Sequence, residues 1–374
     1  MEKKDVILRN SRAEQYLCAA KKNFIEENGI LSESHSKMVI CHFSDLHGDW
    51  KRFENILTMI EYFKPDFAIH TGDLVCWDSN DEWEEFFNRI NECDIPVYNC
   101  LGNHDTFRGE EVLKNEYLHD RYIKPLKNIN TTGKGYYYTD FTEQKIRLIV
   151  LNDYENDAVE RYNDRTYELM QEQCSWLAKV LKDCEEKELG VIIAAHEADE
   201  AVIPGSNGKG FCQRAEPYPW GVPMPNNCCN IAADLVDAFQ NGKVLKREYV
   251  WEKSGNKVKI ECEFTKKSEF ICWMNGHRHG DYIGYLPSYP NQLSLGMTCS
   301  GCFPEGYHNI GDEISDLPRI PDTISEDAIN FYVLDRKSKT VSVVRMGAYV
   351  NDLFEERLAA NSAMELKTNY CFGV

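Results

Sequence analysis

The sequence is short of positive charge. Its 374 residues include 42 lysines and arginines against 61 aspartates and glutamates, which gives a formal net charge of −19. The electric field of so negative a protein repels polyanions, so we expect no general binding of nucleic acid. The sequence also lacks a long apolar run, which argues against a membrane partner. Its first residues are charged and do not resemble an export signal, which favours a cytoplasmic protein.

The chain has no internal repeat and only one CxxC motif, Cys299 to Cys302. Its fifteen cysteines are odd in number and irregular in spacing, so without an export signal they favour reduced thiols over a disulfide framework. With no second CxxC, the motif is either incidental or a redox or zinc site. A hydrophobic content of 43% suffices for a large core, and the length allows one large domain or two smaller ones.

Five segments of the sequence share one design: an apolar, strand-like run is followed by a residue type that binds metals. These blocks are Asp45-Leu46-His47, Gly72-Asp73, Gly102-Asn103-His104-Asp105, His196 and Gly276-His277-Arg278-His279. Open α/β sheets build their sites at the carboxyl ends of strands, so we expect the blocks to meet. Helical spacing over Trp50–Phe63 and 81–91 alternates with these strands and predicts a parallel core. Asp49 is expected to cap the first helix, with metal binding as the alternative.

In their order, the blocks resemble the calcineurin-like metallophosphoesterase superfamily, whose pattern is D-x-H, G-D, G-N-H-D/E, a lone H and G-H-x-H. The resemblance spans residues 45–279, and no ligand is substituted. It implies a phosphoric ester hydrolase with an α/β fold, a four-layer α/β/β/α sandwich of two mixed sheets flanked by helices.

The resemblance also implies two divalent cations, which the ligand types allow to be Mn, Fe or Zn. The first would be held by Asp45, His47 and His279, the second by Asn103, His196 and His277, and Asp73 would bridge them. Such a pair neutralises phosphate charge and lowers the pKa of a bridging water, so the implied nucleophile is a bridging hydroxide. His104 would be the general acid, and Asp105 would orient or charge it through a hydrogen bond. His42 and His70, on strands, are expected to be structural.

We predict three parts: a helical lead-in at 1–35, a catalytic domain at 36–348 with an insertion at 197–265, and a C-terminal helix and tail at 349–374. The lead-in helix either packs outside the domain or binds a partner. Further helices are expected at 109–120 and 165–182. The irregular loops 197–230 and 301–322 are either substrate loops or surface excursions.

The predicted reaction is hydrolysis of a small or nucleotide-like phosphodiester. His104 can assist a poor leaving group, and the acidic composition disfavours long nucleic acids. The first alternative is a phosphomonoesterase, including a protein phosphatase, although only Arg108 lies near the Gly-Asn-His-Asp block. Two others are a non-catalytic metal-binding scaffold and a nuclease acting on DNA ends. The sequence leaves the oligomeric state open.

Overall fold

Two seven-stranded mixed sheets form the frame of the fold. The computed structural model describes residues 37–76, 82–161, 167–197, 202–204, 210–212, 230–251, 254–277, 283–286, 288–297, 299–301, 327–347, 364–365 and 370–371. Its strands, in chain order, are β1 Lys37–Phe43, β2 Phe67–His70, β3 Val97–Asn99, β4 Phe107–Arg108, β5 Glu111–Val112, β6 Asn130–Thr131, β7 Tyr137–Phe141, β8 Ile146–Val150, β9 Gly190–Ala194, β10 Val202–Pro204, β11 Gly210–Cys212, β12 Val244–Val250, β13 Lys257–Glu263, β14 Phe270–Asn275, β15 Ile283–Leu286, β16 Tyr289–Gly296, β17 Ala328–Asp335, β18 Thr340–Gly347, β19 Met364–Glu365 and β20 Tyr370–Cys371. Its α-helices are α1 Trp50–Phe63, α2 Glu82–Glu92, α3 Asn115–Leu118, α4 Gln171–Lys187 and α5 Ile231–Asn241.

The first sheet has the order β19-β18-β17-β1-β2-β3, with β20 also paired to β18. Strands β1, β2 and β3 are parallel, with Ile40 opposite Phe67 and Ala68 opposite Val97. Strand β17 runs antiparallel to β1, which makes the sheet mixed. The parallel trio brings three strand ends to one edge, where three of the ligand blocks begin.

The second sheet has the order β15-β16-β14-β9-β8-β7-β6. Its central strands β8, β9, β14 and β16 are parallel, while β7 pairs antiparallel with β8. The ends of β9 and β14 are therefore neighbours. These two strands lead directly into His196 and into Gly276 and His277.

Strand β8 of the second sheet is buried on both faces, because alternate residues of a strand point to opposite sides. Leu148 joins the hydrophobic cluster that contains the first sheet, whereas Ile149 joins the cluster that contains α4 and α5. Phe67 of β2 and Phe141 of β7 stack between the sheets, with ring centroids 4.6 Å apart. The predicted α/β class with mixed sheets and flanking helices is confirmed. The exact four-layer order stays a prediction.

The helix that follows the first ligand block is confirmed residue for residue, as Trp50–Phe63. Asp49 caps it, since its carboxylate accepts a hydrogen bond from the Arg52 backbone N–H at 3.2 Å. The same carboxylate pairs with the Arg52 guanidinium at 2.5 Å. Asp49 thus has the capping role that was expected for it.

Two helix predictions are wrong at their starts. The helix expected at 109–120 begins only at Asn115, because Gly109, at φ 60°, turns β4 back onto β5. After Leu118 the helix continues through a π-helical turn, His119–Ile123. The helix expected at 165–182 begins at Gln171 and ends at Lys187. Glu168 is held in extended pairing, and its N–H donates to the Asp153 carbonyl.

Several predicted segments lie outside the described residues. They are the lead-in with its helix, most of the C-terminal helix and tail at 349–374, and most of the loops 197–230 and 301–322. Within the predicted insertion, the structure describes α5 and the hairpin of β12 and β13. Among the described helices, none is both long and apolar enough to cross a membrane.

Candidate metal centre

The ends of five strands, three from one sheet and two from the other, gather the predicted ligands. Asp45 and His47 follow β1, Asp73 follows β2, and Asn103 follows β3. His196 and His277 follow β9 and β14 of the second sheet. The site therefore spans both sheets and depends on how they pack together. His279 and Arg278 lie outside the described residues.

The gathered side chains form two groups that share one carboxylate. Ligand atoms of Asp45, His47 and Asp73 all lie within 4.8 Å of one another. Ligand atoms of Asp73, His196 and His277 do the same. Asp73 is thus the residue common to both groups, the position that a bridging ligand needs.

The second group suits a divalent cation in its donor chemistry. His196 Nδ1 lies 2.6 Å from the carbonyl oxygen of Thr71, which only accepts, so that nitrogen carries a proton and Nε2 is the nitrogen left to bind a cation. Nε2 lies 3.2 Å from Asp73 Oδ2 and 3.1 Å from Asn103 Oδ1. His277 Nδ1 lies 3.0 Å from the same Asn103 oxygen and 3.2 Å from His196 Nε2. Electron-pair donors from four side chains converge on one point, as around a bound metal.

The electrostatics of this pocket favour positive charge. Burial lowers the pKa of His196, but the carboxylates of Asp73 and Asp45 outweigh burial and raise that pKa to about 10. Conversely, burial raises the pKa of Asp73, while His196 and His104 bring it well below its usual value. A divalent cation would satisfy the same carboxylates, so the residues present fit a metal centre.

Four of the predicted ligands have left-handed backbone conformations, which are uncommon outside glycine. The φ angles are 53° at Asp45, 49° at His47, 56° at Asp73 and 65° at His277. Such conformations cost about 1–3 kcal/mol each and persist where surrounding contacts impose them. Backbone strain is therefore concentrated at the candidate ligands, and the sequence pattern gave no sign of it.

Two glycines of the blocks allow the backbone to approach the ligands closely. A Cβ on Gly102 would lie 2.1 Å from the Asp73 backbone nitrogen and 2.2 Å from its Oδ1. A Cβ on Gly276 would lie 1.8 Å from Ser44 Oγ and 2.5 Å from Asp45 Oδ2. Neither position has room for a side chain, which explains why glycine precedes Asn103 and His277.

His104 lies beside the first ligand group in a half-buried position. Its Nδ1 lies 2.7 Å from the Cys76 carbonyl oxygen, which requires the proton on Nδ1. Its backbone N–H donates to Asp73 Oδ1 at 2.8 Å. The His104 ring meets the His47 ring edge-on, with centroids 4.8 Å apart at 87°. The ring is thus oriented by a carbonyl and is tied through its backbone to the shared carboxylate.

The hydrogen bond predicted from Asp105 to His104 is wrong. The fully buried Asp105 carboxylate instead accepts four backbone N–H groups: Gly102 at 2.8 Å, Asp73 at 3.0 Å, Leu74 at 2.9 Å and Val75 at 3.1 Å. Burial and the neighbouring Asp73 raise the pKa of Asp105, and the N–H donors oppose this rise because they stabilise the carboxylate. Asp105 therefore ties two strand ends together and positions Asp73.

Comparison with known proteins decides the family. Residues 38–221 match the family model described as calcineurin-like phosphoesterase. This chain contains a calcineurin-like phosphoesterase domain. It is a phosphoric ester hydrolase of a family that depends on a dinuclear metal centre.

Among solved structures, a dimetal phosphatase from Danio rerio shares 11% identity with this phosphoesterase. The alignment covers 83% of this chain and 96% of that chain, with a TM-score of 0.51, and shows a common fold. The protein TT1561 of Thermus thermophilus is also 11% identical, over 82% of this chain and 97% of that chain, with a TM-score of 0.42. No curated protein matches the chain.

Glu197 lies beside the candidate metal centre of the phosphoesterase and was missed in the sequence. Its carboxylate lies 3.7 Å from His277 Nε2, the nitrogen that faces away from Asn103 and His196. Tyr154 donates its hydroxyl proton to the same carboxylate at 2.5 Å, and the Glu197 N–H donates to Asp153 Oδ2 at 2.6 Å. This carboxylate places negative charge behind the His277 imidazole, which would make the ring a stronger ligand for a cation, although 3.7 Å is longer than a hydrogen bond. Its position directly after His196 was the available signal.

His42 and His70 are core residues, as predicted. His42 hydrogen-bonds Thr71 Oγ1 at 2.8 Å and Tyr332 at 3.2 Å, and His70 hydrogen-bonds Asn99 Oδ1 at 2.7 Å. Of the CxxC pair, Cys299 donates its thiol to the Asp45 carbonyl oxygen at 3.0 Å, and Cys302 lies outside the described residues.

Proposed function

We propose that this protein hydrolyses a small or nucleotide-like phosphodiester at two divalent cations bridged by Asp73. The observation that carries the proposal is the presence of Asp73 in both ligand groups. A single metal site would need one group only. The proposed ligands are Asp45, His47, Asp73, Asn103, His196, His277 and His279.

The donor set accommodates Mn, Fe or Zn, since imidazole and carboxylate ligands suit all three. When bound, the cations would neutralise phosphate charge and supply the nucleophile, a bridging hydroxide. Asp73 Oδ1 already accepts the His104 N–H at 2.8 Å, which leaves Oδ2 directed toward His196. The carboxylate is therefore held in place by the chain itself before any cation binds.

His104 is the proposed general acid. Because Nδ1–H is committed to the Cys76 carbonyl oxygen, the transferable proton lies on Nε2 of the protonated ring. Donation of that proton to the departing ester oxygen avoids an unprotonated alkoxide leaving group. General acids of this kind contribute roughly 10²–10⁴-fold to rate.

Two features support a diester over a monoester. A general acid matters most for poor leaving groups, such as the sugar hydroxyl of a nucleotide diester. Arg108, the arginine next to the His104 turn, donates to the Tyr117 hydroxyl at 2.5 Å and stacks its guanidinium 5.5 Å from that ring. It is thereby engaged elsewhere, which weakens the protein phosphatase alternative. Phosphomonoester hydrolysis remains the runner-up.

The test compares bis(p-nitrophenyl) phosphate with p-nitrophenyl phosphate as substrates. The protein is stripped with chelator, reloaded with Mn, and assayed beside Asp73→Asn and His104→Ala. A buried histidine that belongs to neither ligand group, His119, provides the matched control His119→Ala. We expect Mn-dependent diester cleavage that the control retains and Asp73→Asn loses. Cleavage of the monoester alone would assign a phosphatase, and no cleavage of either ester by the Mn-loaded protein would contradict the proposal.

A further inference from the structure

A thiol lies at the edge of the metal centre, where the five ligand blocks did not predict one. Cys76, three residues after Asp73, forms no disulfide and is half-buried. Its sulfur and one ring nitrogen each of His47 and His104 all lie within 4.8 Å of one another. This group is separate from the two groups that share Asp73, although it uses His47 in common with one of them.

We propose that Cys76, His47 and His104 form a third, inhibitory site for a soft divalent cation such as Zn²⁺ or Cd²⁺. One thiolate and two imidazoles are a ligand set of zinc proteins, and a cation in such a set commonly completes its tetrahedron with water. Metal–ligand bonds of about 2.0–2.3 Å place ligand atoms roughly 3.5 Å apart. The three ligand atoms of this group lie within 4.8 Å of one another, so small side-chain rotations would bring them to bonding distance of one cation.

The turn that carries Cys76 is held in position, so the thiol is presented at a fixed place. The Asp105 carboxylate accepts the N–H groups of Leu74 and Val75, the two residues before Cys76. On its other side, the Cys76 carbonyl accepts the His104 Nδ1–H at 2.7 Å. His104 Nε2 is then the nitrogen left to bind a cation, and it is also the proposed proton donor.

Occupation of this site would inhibit the proposed reaction in two ways. It would withdraw the His104 lone pair or proton from the substrate, and it would compete for His47 with the first of the paired cations. The effect would be selective for the metal, because thiolates prefer soft cations and bind Mn²⁺ poorly. Mn²⁺ would activate the enzyme, whereas excess Zn²⁺ or Cd²⁺ would inhibit it. The inhibitory consequence rests on the proposed function, but the site itself does not.

The direct test is titration of the chelator-treated protein with Cd²⁺, followed by the ultraviolet absorption of cadmium bound to thiolate. Wild type is compared with Cys76→Ser, with His104→Ala, and with Cys93→Ser, a matched control at another half-buried cysteine. We expect Cys76→Ser to lose one equivalent of thiolate absorption and His104→Ala to bind that equivalent about tenfold or more weakly. Cys93→Ser should keep the equivalent of cadmium that His104→Ala weakens, with the same affinity as in wild type.

A second measurement separates this site from the catalytic proposal. Mn-loaded wild type and Cys76→Ser are challenged with Zn²⁺, and each inhibition is normalised to that variant's own rate. Loss of inhibition in Cys76→Ser supports the site. Equal cadmium absorption in wild type and Cys76→Ser would overturn it, whatever the enzyme hydrolyses.

Discussion

Asp105→Asn should destabilise the protein strongly, although the two side chains have nearly the same shape. The carboxylate accepts four backbone N–H groups through two oxygens, with distances between 2.8 and 3.1 Å. Asparagine keeps one oxygen, which can serve two of these donors, and turns an NH₂ group toward the other two. Each buried donor left without an acceptor costs about 1–3 kcal/mol, so the expected loss is about 2–6 kcal/mol.

The assay is urea unfolding of chelator-treated protein, so that metal affinity does not enter the free energy. The matched control is Asp66→Asn, since the exposed Asp66 accepts the Val39 N–H at 2.6 Å from the surface. We expect that control to lose less than about 1 kcal/mol, because water can replace the acceptor at an exposed site. In metal-loaded protein, Asp105→Asn should also weaken binding of both cations, because Asp105 positions the Asp73 that would bridge them.

The reasoning would be refuted if Asp105→Asn unfolded at the same urea concentration as wild type, or if it lost no more stability than Asp66→Asn. Either result would mean that the four contacts do not hold the strand ends together. If the slope of the unfolding free energy against urea concentration changed, the substitution would have altered the unfolded state. Unfolding would then be followed with a second spectroscopic signal.

Three further outcomes are expected. Glu197→Gln should weaken metal binding about 10–100-fold, measured by competition with a chelating dye, because the carboxylate behind His277 is lost; unchanged affinity would remove Glu197 from the site. His104→Ala should cost more rate on alkyl than on p-nitrophenyl diesters, and an equal loss on both would argue against a general acid. Burial lowers the pKa of His42 to about 3 and of His70 to about 4. Only the unfolded chain takes up these protons near pH 6.5, so each of the two histidines lowers the unfolding free energy of metal-free protein by about 1.4 kcal/mol per pH unit below that pH, down to about pH 4. Urea unfolding of wild type and His70→Gln at pH 7, 6 and 5 isolates one histidine from the other titrating groups. The variant should lose less stability than wild type between pH 7 and pH 5, and the same pH dependence in both would contradict the prediction.

Local pattern was enough to predict the scaffold around the centre. The apolar spacing of Trp50–Phe63 and the capping Asp49 define α1, because both signals act within a few residues. Strand β9 before His196 and strand β14 before His277 were likewise visible as apolar runs. The ligands follow from these strands, since parallel strands bring their ends to one edge.

The missed features depend on contacts between distant parts of the chain. The Asp105 carboxylate accepts hydrogen bonds from backbone N–H groups about thirty positions earlier in the chain. Glu197, at the end of the neighbouring strand, lies close to His277. The positive φ angles at Asp45 and His47 accompany hydrogen bonds from their backbone N–H groups to the Gly72 and Asp73 carbonyls, which lie on the next strand's end. Cys76 gains its significance only when His47 and His104 are placed beside it. None of these relations leaves a periodic trace in the sequence.

The central claim is that Asp73 bridges two cations, and electron paramagnetic resonance of Mn-loaded protein tests it directly. With two equivalents of Mn²⁺ bound, we predict a spectrum of two magnetically coupled ions, because a shared carboxylate holds them close together. Asp73→Asn should convert it to the spectrum of an isolated ion or lose binding. Two equivalents bound to wild type with only the signal of isolated Mn²⁺ would contradict the claim.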